Sequence, residues 1–470
     1  MQAVSVPSHP LEVLVDLDRD LPLPLSVQLA TQLSDAIRRG SLREGATLPA
    51  SRTLALQLGV SRGVVTAAYS QLSTQGYLVM QQRSVPRVAA LPSTAPSTER
   101  EEAAPTPLVD FTMLSPDLGL VPRRDWRRVL EHAIRVSPAQ VLDYGDPRGQ
   151  LELREALVDF LGRTRGVVSS PSRVIVCQGS LQSLDIACQL LASRGAARVA
   201  LEDPCAAEIR TAVRRAGLRP VQIPVDAEGI RVDLLAAEAP DAALLTPAHQ
   251  FPTGSVLSER RRADLVDWLV RTGTQLVEDD YDAEFRYGTP AVPTLQEKAP
   301  DRVMYAGSAS KTFAPGLRLG WLVVPESAAD AAGRIKWSLD GGSPGLEQVA
   351  FARLVTSGAF ERHLLRARVE YRKRREALEA ALAGALPRTR VEGGTGGLHL
   401  TLRLDRPVDI GALDAAASRQ RVRVQAVESF LHEPAKRAER LVLGFARLHP
   451  SSSAHAAASL ATVLQLAGGA

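Results

Sequence analysis

One lysine in this sequence is surrounded by groups that suit a phosphorylated aldehyde. Lys311 lies in the segment YAGSASKTFAPGLRLGW, with Ser308 and Ser310 before it and Arg318 seven residues after it. A primary amine can lose its proton and form an imine with an aldehyde, whereas a guanidinium stays charged and cannot. Hydroxyls and an arginine bind a phosphate dianion well. A lone lysine in a serine-rich loop is usually a surface residue, but these neighbours favour a covalent ligand site.

The use of lysine in this chain supports the same interpretation. Lysine occurs only at positions 298, 311, 336, 373 and 436, and the other basic positions are arginine. A lysine that persists in an arginine-rich chain, beside phosphate-binding groups, indicates chemistry that arginine cannot perform.

A second polar group follows an apolar run upstream. The segment LVEDDYDAEF (276–285) predicts a strand that ends in carboxylates, and α/β sheets bind ligands beyond the carboxyl ends of their strands. Asp279 is suited to pair with a protonated ring nitrogen, and Tyr281 is suited to bond a ring oxygen. The alternative is an acidic strand end that only caps a helix.

A glycine turn supplies a third group. In VCQGSLQSLDIA a predicted strand is followed by Gly179 and then by a helix. The backbone amides of Ser180 and Leu181 would therefore lie at a helix N-terminus, where phosphate binds. Two further turn-rich segments are predicted to be loops between strands and helices: TPAHQFPTG with His249 and YGDPRG with Tyr144.

A sheet is needed to bring these groups together. From about residue 109, short Val/Ile/Leu runs alternate with amphipathic helical patterns, which predicts a mostly parallel sheet with helices on both faces. The predicted strands include RVIVC (173–177), ARVALED (197–203), AALLTP (242–247), TQLVEDD (274–280) and RVMYAG (302–307). The predicted fold class is α/β. Its parts are residues 1–88, a linker rich in Pro, Ala, Ser and Thr at 89–108, and a large domain at 109–470.

Positive charge is concentrated near the N-terminus, although the whole chain has a formal net charge of only +4. Between positions 38 and 87 there are seven arginines and one acid, Glu44. A local basic block on a folded segment is typical of polyanion binding. A merely solvated basic face would give the same composition.

Helical patterns in this basic block favour nucleic acid as the polyanion. Apolar residues recur every four positions from Leu25 to Ile37, and Gly40 follows at the position that ends a helix. The segment 48–59 predicts a second short helix, and Gly59 predicts the turn after it. Helix, tight turn and helix form the helix-turn-helix motif, although an ordinary three-helix bundle has similar spacing.

The third predicted helix would read the DNA. Ser61 is its predicted N-cap, and the first turn would direct Arg62 and Thr66 at base edges or phosphates in the major groove. Arg52, on the preceding helix, would contact the DNA backbone.

These residues resemble the winged helix-turn-helix domain of the GntR superfamily in the runs LPASRTLA, LGVSRGVV and AYSQLSTQGYL. The resemblance implies binding of double-stranded operator DNA through Arg52, Ser61 and Arg62. The wing departs from the family, because QQRSVPRVA replaces a hairpin tip that resembles Gly-Ser-Gly-Thr. Arg83 and Arg87 are the wing residues that would reach the minor groove or phosphates.

The motifs of the large domain together resemble fold-type I, class I aminotransferases, over residues 110 to about 465. With the GntR-like segment in front, the whole chain resembles the MocR family of regulators. The resemblance implies a homodimer with a large pyridoxal phosphate-dependent transferase fold and a small C-terminal α/β subdomain. It implies that Lys311 forms the Schiff base, Asp279 pairs with the pyridine nitrogen and Tyr281 contacts the ring oxygen. The implied phosphate ligands are Ser308, Ser310, Arg318, Ser180 and Leu181, and Tyr144 would reach the cofactor of the partner subunit.

Positions on the substrate side depart from the aminotransferase pattern. Ala206 occupies the place where an aromatic residue often covers the pyridine ring. Phe251 replaces the asparagine before Pro-Thr-Gly, with His249 or Gln250 as the candidate substitute. Val442 aligns with the arginine that binds a substrate carboxylate, and Arg440 lies two positions away on the same strand face.

Three functions fit this pattern. The first is a regulator that responds to pyridoxal phosphate or to its adduct with an amine, in vitamin B6 or amine and amino-acid metabolism. The second is an active aminotransferase with a DNA-binding appendage, and the third is a regulator whose large domain is a cofactor-free dimerisation scaffold. The altered substrate side favours the first, with Arg440 and His249 as effector contacts. His399, in GGLHLTL, is either a site residue or a packed histidine, and packing is slightly favoured.

Other features of the sequence predict a cytoplasmic location. The cysteines at 177, 188 and 205 show no metal-binding spacing and are odd in number, so neither a metal site nor a disulfide framework is expected. The N-terminus lacks the pattern of a signal peptide. No apolar run approaches the roughly 20 residues of a membrane span.

Overall fold

The computed structural model describes residues 15–80, 84–90, 108–288 and 292–468. The chain divides into two units, Met1–Ala103 and Ala104–Ala470. Most of the predicted linker lies outside the described residues, so its boundaries at 89–108 stay a prediction. Within the described part of the chain, no helix combines the length and apolar character that crossing a membrane requires.

The N-terminal unit contains the three predicted helices and a small hairpin. Its elements are α1 (Leu25–Arg38), α2 (Ser51–Gln57), α3 (Arg62–Thr74), β1 (Leu78–Val79) and β2 (Arg87–Val88). Gly40 follows α1 with a φ of 72°, as its predicted role at the helix end requires. The second helix is shorter than predicted, because Leu48 donates its N–H to Pro86 and Thr47 bridges Arg87. Residues before Ser51 are thus engaged with the hairpin.

The large unit is built on an eight-stranded sheet, and a short strand β3 (Val109–Asp110) precedes it. Its strands are β4 (Val174–Cys177), β5 (Arg198–Asp203), β6 (Arg219–Asp226), β7 (Gly229–Ile230), β8 (Ala242–Leu245), β9 (Gln275–Asp280), β10 (Val303–Ser308) and β11 (Gly320–Val323). The strand order is β4-β11-β10-β9-β8-β5-β6-β7. Pairing is parallel from β10 to β6, and β11 and β7 are antiparallel to their neighbours. The prediction of a mostly parallel sheet is confirmed.

Helices cover both faces of this sheet. They are α4 (Arg123–Val136), α5 (Leu151–Arg165), α6 (Ser180–Ser193), α7 (Ala207–Arg215), α8 (Val232–Glu238), α9 (Glu259–Thr272), α10 (Leu295–Lys298), α11 (Ala309–Thr312), α12 (Ala329–Asp340), α13 (Gly345–Thr356) and α14 (Ala359–Ala385). Neighbouring strand residues alternate between faces, so Leu276 packs with Trp268 of α9 and Val277 packs with Ile186 of α6. Because both faces are buried, the strands are continuous apolar runs.

A smaller sheet forms the C-terminal subdomain. Its elements are β12 (Arg390–Glu392), β13 (His399–Asp409), α15 (Ile410–Arg419), β14 (Val422–Arg423), β15 (Gln425–Ala426), β16 (Arg437–Gly444) and α16 (Ser453–Leu466). The sheet order is β12-β13-β16-β15, and β14 pairs with β3. The predicted small α/β subdomain is therefore confirmed.

Candidate cofactor and DNA sites

The exposed face of α3 carries the predicted DNA-contact residues. Val65 and Leu72 are buried in the core of the N-terminal unit, whereas Arg62 and Thr66 are exposed one turn apart. The Arg62 Nε donates to the Ser51 hydroxyl at 3.3 Å, and the Thr66 hydroxyl donates to the Arg62 carbonyl at 2.9 Å. An exposed helix face that begins with an arginine is suited to enter a major groove.

The other DNA-contact candidates lie beside this face. Arg52 is exposed on α2. Ser61 has the extended backbone of an N-cap, but its side chain makes no capping hydrogen bond. Arg87 is exposed on the hairpin, with one guanidinium nitrogen 3.5 Å from the Gly45 carbonyl. Arg83 lies outside the described residues.

In the large unit, the ends of neighbouring strands bring the predicted cofactor residues together. Strands β9 and β10 are parallel and pair Asp279 with Ala306. Lys311 follows β10 within three residues, on the short helix α11. Because parallel strands end at the same edge of a sheet, the lysine and the carboxylate lie close enough for their charges to interact.

Lys311 is partly buried, and its amine makes a hydrogen bond to the backbone. Its Nζ donates to the carbonyl of Leu114 at 2.6 Å. Burial lowers the pKa of this amine, and the carboxylates of Asp282 and Asp279 partly oppose that shift. A lowered pKa increases the fraction of neutral amine, which is the nucleophilic form. No local pattern around Leu114 indicated this contact.

Asp279 is a buried carboxylate, and one of its two oxygens has no hydrogen-bond partner among the described residues. This oxygen is Oδ1, and the residue is 7% exposed. Burial and the nearby Asp280 raise its pKa to about 7. A buried carboxylate without a donor is unfavourable, and a protonated pyridine nitrogen would supply the missing donor. This orphaned atom therefore fits pyridoxal phosphate.

The start of α6 and the guanidinium of Arg318 together form a cradle of hydrogen-bond donors. Gly179 caps α6 with a φ of 83°, and Ser180 and Leu181 begin the helix, where backbone N–H groups lack intrahelical partners. A Cβ on Gly179 would lie 2.9 Å from an Arg318 guanidinium nitrogen, so a side chain here would displace the arginine from its present position. Arg318 also donates to the Gln178 carbonyl at 2.7 Å.

The two serines before Lys311 differ in their environment. Ser308 is buried, donates to the Leu319 carbonyl at 3.3 Å and accepts from the Ser310 N–H at 3.0 Å. Its hydroxyl proton is thus engaged by Leu319, and its oxygen already caps α11. Ser310 is partly exposed. Of the two, Ser310 is better suited to bind phosphate.

A polar network that was not predicted supports the cradle from behind. Lys336 is fully buried and donates to Asp340 and, at 2.8 Å, to Ser343. The Asp340 Oδ2 also accepts from the side chains of Gln178 at 3.1 Å and Gln182 at 2.8 Å. This network fixes the turn that precedes α6. The rarity of lysine in the sequence is the feature that could have drawn attention to Lys336 and this network.

Tyr281 belongs to a buried group of side chains. Its hydroxyl lies 3.2 Å from the Nδ1 of His249, and that nitrogen lies 3.0 and 3.1 Å from the two oxygens of Asp282. The ring of His399 lies 4.8 Å from that of His249 and 5.5 Å from that of Phe251. His399 is therefore a packed histidine in the wall of the site itself. Asp282 was missed, although it stands in the segment that carries Asp279.

This group has the geometry of hydrogen-bonded residues rather than of a set of metal ligands. The candidate ligand atoms of His249, Asp282 and His399 lie within 4.8 Å of one another. However, His249 and Asp282 are already bonded to each other, and the His399 Nε2 contacts the carbonyl of Pro252 at 3.3 Å.

The substrate side presents neutral groups. Val442 is 2% exposed and lies opposite Thr401, whose hydroxyl donates to the Pro252 carbonyl at 3.0 Å. Arg440, the candidate effector contact, donates its Nε to Glu428 at 3.1 Å. The guanidinium is thus already paired with a buried carboxylate. Ala206 is a partly buried residue that packs with the apolar core beneath the sheet.

Tyr144 lies on the surface of the large unit. It is 75% exposed, and its ring contacts Trp337 edge-on at 5.8 Å. With Gln178 and Asp340 it lines a depression of about 650 Å³. Since Gln178 directly precedes the cradle, Tyr144 borders its outer side.

Two family models match the chain. Residues 25–88 match the GntR family of bacterial regulatory proteins, and residues 120–460 match aminotransferase class I and II. The second match covers well over half of the sequence. The two matches correspond to the two units of the structure.

Curated relatives share both parts. The chain is 33% identical to PdxR of Corynebacterium glutamicum, an HTH-type pyridoxine biosynthesis transcriptional regulator, with coverage of 83% of this chain and 87% of that one. It is 30% identical to MocR of Rhizobium meliloti, a probable rhizopine catabolism regulatory protein, with coverage of 93% of both.

A solved structure supports the fold of the large unit. LysN, an α-aminoadipate aminotransferase from Thermus thermophilus, matches with a TM-score of 0.69 and 26% identity. The match covers 76% of this chain and 92% of that one. The LysN structure contains N-(5′-phosphopyridoxyl)-L-leucine.

Proposed function

Since this chain belongs to the MocR-type transcriptional regulators, in which a GntR-type domain precedes an aminotransferase class I and II domain, we propose that it binds operator DNA and uses pyridoxal phosphate as a signal. The observation that carries the proposal is the contrast within one pocket. Lys311 and the unpartnered Asp279 suit the cofactor, whereas Val442 leaves the substrate carboxylate position neutral.

Each residue of this site would contact a different part of the cofactor. Pyridoxal phosphate supplies an aldehyde that condenses with amines and a ring that withdraws electrons. Lys311 provides the amine, and its burial keeps part of it neutral. Asp279 holds the proton on the ring nitrogen, and Tyr281 bonds the ring oxygen. The N-terminus of α6 binds the phosphate with Ser310 and Arg318.

We propose that the effector is pyridoxal phosphate or its adduct with an amine. An amino-acid substrate needs a cation for its carboxylate, but Arg440 is engaged by Glu428. The name of the relative PdxR associates it with pyridoxine biosynthesis, which favours vitamin B6 control over other amine metabolism. A ligand can act as a signal only if it binds two arrangements of the protein with different affinity.

The second candidate function is an aminotransferase with a DNA-binding appendage. It is favoured by the retained Lys311 and Asp279, which would permit half-reactions. Single-turnover mixing of the cofactor-loaded protein with amino acids separates the two functions. Multiple turnovers with an amino donor and a keto acid would support the enzyme, and loss of the visible band without turnover would support the sensor.

The first test is the visible absorption spectrum of the full chain with pyridoxal phosphate. The wild type and Lys298→Ala should show a band, and Lys311→Ala should lack it. Lys298 is the matched control, because its side chain is 62% exposed. No band in the wild type would leave a DNA-binding protein with a cofactor-free domain and would overturn the proposal.

The DNA-binding half of the proposal is tested separately. We expect Arg62→Ala to weaken operator binding by roughly 5- to 150-fold, because a bidentate base contact contributes about 1–3 kcal/mol. Arg39→Ala is the control, since this arginine is exposed beyond the end of α1. Binding should also weaken as salt rises. Equal losses in both variants would contradict base reading by α3.

We further propose that the protein acts as a homodimer in the cytoplasm and reads two half-sites. The exposed Tyr144 beside Gln178 supports a dimer in which this ring reaches the phosphate of the partner subunit's cofactor. Sedimentation at micromolar concentration tests the dimer. Tyr144→Ala should weaken cofactor binding by less than the loss of Asp279 does.

A further inference from the structure

The hydrogen bonds around His249 define which of its ring nitrogens carries the proton. Both oxygens of Asp282 lie within 3.1 Å of Nδ1, and these two side chains are 2% and 4% exposed. A buried carboxylate needs a donor, and a bare Nδ1 would instead face it with a lone pair. The geometry therefore favours a proton on Nδ1.

The other ring nitrogen agrees with this assignment. The Nε2 of His249 is buried and has no hydrogen-bond partner within the described residues. If the proton were on Nε2, it would be a buried donor without an acceptor, and Asp282 would also lose its donor. A proton on Nε2 leaves both that N–H and Asp282 unsatisfied, whereas a proton on Nδ1 leaves only the lone pair of Nε2 without a donor.

This tautomer has a consequence for Tyr281, whose hydroxyl lies 3.2 Å from the same Nδ1. A protonated Nδ1 cannot accept the phenol proton, so that proton must point elsewhere. We infer that Asp282 and His249 are positioning residues, which keep the Tyr281 hydroxyl free to donate to the ring oxygen of the bound cofactor. This inference rests on the proposed cofactor function only for the identity of that acceptor.

The backbone holds the pair in place from the opposite side. Gly397 has a φ of 70°, and a Cβ at this position would overlap both the His249 ring and the Asp282 carboxylate. The hydroxyl of Tyr287 also donates to the Gly397 carbonyl at 2.8 Å. The pair is thus enclosed by a loop that only glycine allows.

The direct test is the tautomer of His249 in the cofactor-free full chain. With ¹⁵N-labelled histidine, the long-range ¹H–¹⁵N spectrum has signals from only eight residues. His249→Asn identifies the signal of interest. We expect Nδ1 to carry the proton in the wild type and Asp282→Asn to reduce that population. A wild-type proton on Nε2 would overturn the inference, whether or not the cofactor binds.

The second test measures the pH midpoint of the cofactor's visible band. Tyr281→Phe removes the proposed donor, and Asp282→Asn should move the midpoint in the same direction by a smaller amount. We expect roughly 0.5–1 pH unit, the scale on which a hydrogen bond shifts a pKa. Other charged or titratable groups near Tyr281 and His249 are Asp279, Asp280, Glu202, Lys311 and His399.

Thr401→Val is the matched control for these variants. It is isosteric and removes one buried hydrogen bond, to Pro252, in the same wall of the pocket. Thr401→Val should leave the midpoint unmoved, since Thr401 bonds neither His249 nor Asp282. A midpoint in Asp282→Asn that equals that of the wild type would overturn the positioning role. Absence of a band in all proteins would instead overturn the proposed function and leave the tautomer test decisive.

Discussion

The two sides of the pocket in the large unit differ in the chemistry they retain. On the cofactor side, the partly buried Lys311 and the buried Asp279 are ionisable groups whose pKa values are displaced by desolvation. On the predicted substrate side, Val442 stands where the resemblance to aminotransferases implies an arginine, and Arg440 is paired with Glu428. The difference indicates that a site can keep the residues that bind a cofactor while it loses those that bind a substrate. The predictions below test that contrast.

The largest expected effect is on the cofactor side. Asp279→Asn should weaken pyridoxal phosphate binding by about 10- to 100-fold, because a charge-assisted hydrogen bond contributes roughly 1.5–3 kcal/mol. Fluorescence or absorbance titration measures the Kd. The exposed Asp264→Asn serves as the control. An unchanged affinity in Asp279→Asn would remove the contrast between the two sides.

The same variant should stabilise the cofactor-free protein at high pH. The pKa of Asp279 is raised to about 7 in the folded chain, so between its ordinary value and pH 7 the folded state binds the proton more strongly than the unfolded state. The ionised Asp279 carboxylate therefore destabilises the folded wild type fully above pH 7, and this effect vanishes near pH 4. Relative to wild type, Asp279→Asn should gain about 2–4 kcal/mol at pH 8. Denaturant unfolding at pH 5 and pH 8 measures it, and an equal gain at both values would contradict the stated cause.

A smaller effect is expected in the phosphate cradle. Gly179→Ala places a Cβ against Arg318 and should weaken cofactor binding by about 10-fold, since one displaced charged contact contributes roughly 1.5 kcal/mol. Gly195→Ala is a matched control beyond the other end of α6. Gly195 has a similar φ of 90° but open space around it. An equal weakening of cofactor binding in the two variants would attribute the loss to backbone strain rather than to the contact with Arg318.

The smallest effect is expected on the substrate side. Arg440→Ala should change the affinity for pyridoxal phosphate by less than about twofold and destabilise the fold by roughly 1 kcal/mol, through the loss of its bond to Glu428. Calorimetric titration and thermal unfolding measure the two quantities. A much larger loss of affinity for the cofactor or for an amine effector would show that this arginine binds ligand and would break the contrast.

Local patterns predicted much of this molecule. The apolar periodicity of α1 and the buried runs of β9 and β10 were sufficient to predict these elements, because each depends on residues close in sequence. The residues around Lys311 and Gly179 were predicted from motif chemistry in the same way. Their roles in binding stay predictions until they are measured.

The contacts that sequence reasoning missed join distant segments. Leu114 reaches Lys311 across 197 residues, and His399 reaches Pro252 across 147. Neither contact has a local pattern, since each depends on how separate elements pack. The start of α2 was misplaced for the same reason, because Leu48 bonds the carbonyl of Pro86 and Thr47 bridges Arg87, both distant in sequence.

Under the proposed function, the cradle at the start of α6 would determine which form of the cofactor the protein can report. The Arg318 guanidinium and the α6 amides would recognise the phosphate ester, whereas Lys311 would react with any accessible aldehyde. Unphosphorylated pyridoxal carries the aldehyde but offers nothing to the cradle. The protein would therefore follow the phosphorylated pool alone, and its output would depend on the balance between the kinase that adds the ester and the phosphatase that removes it.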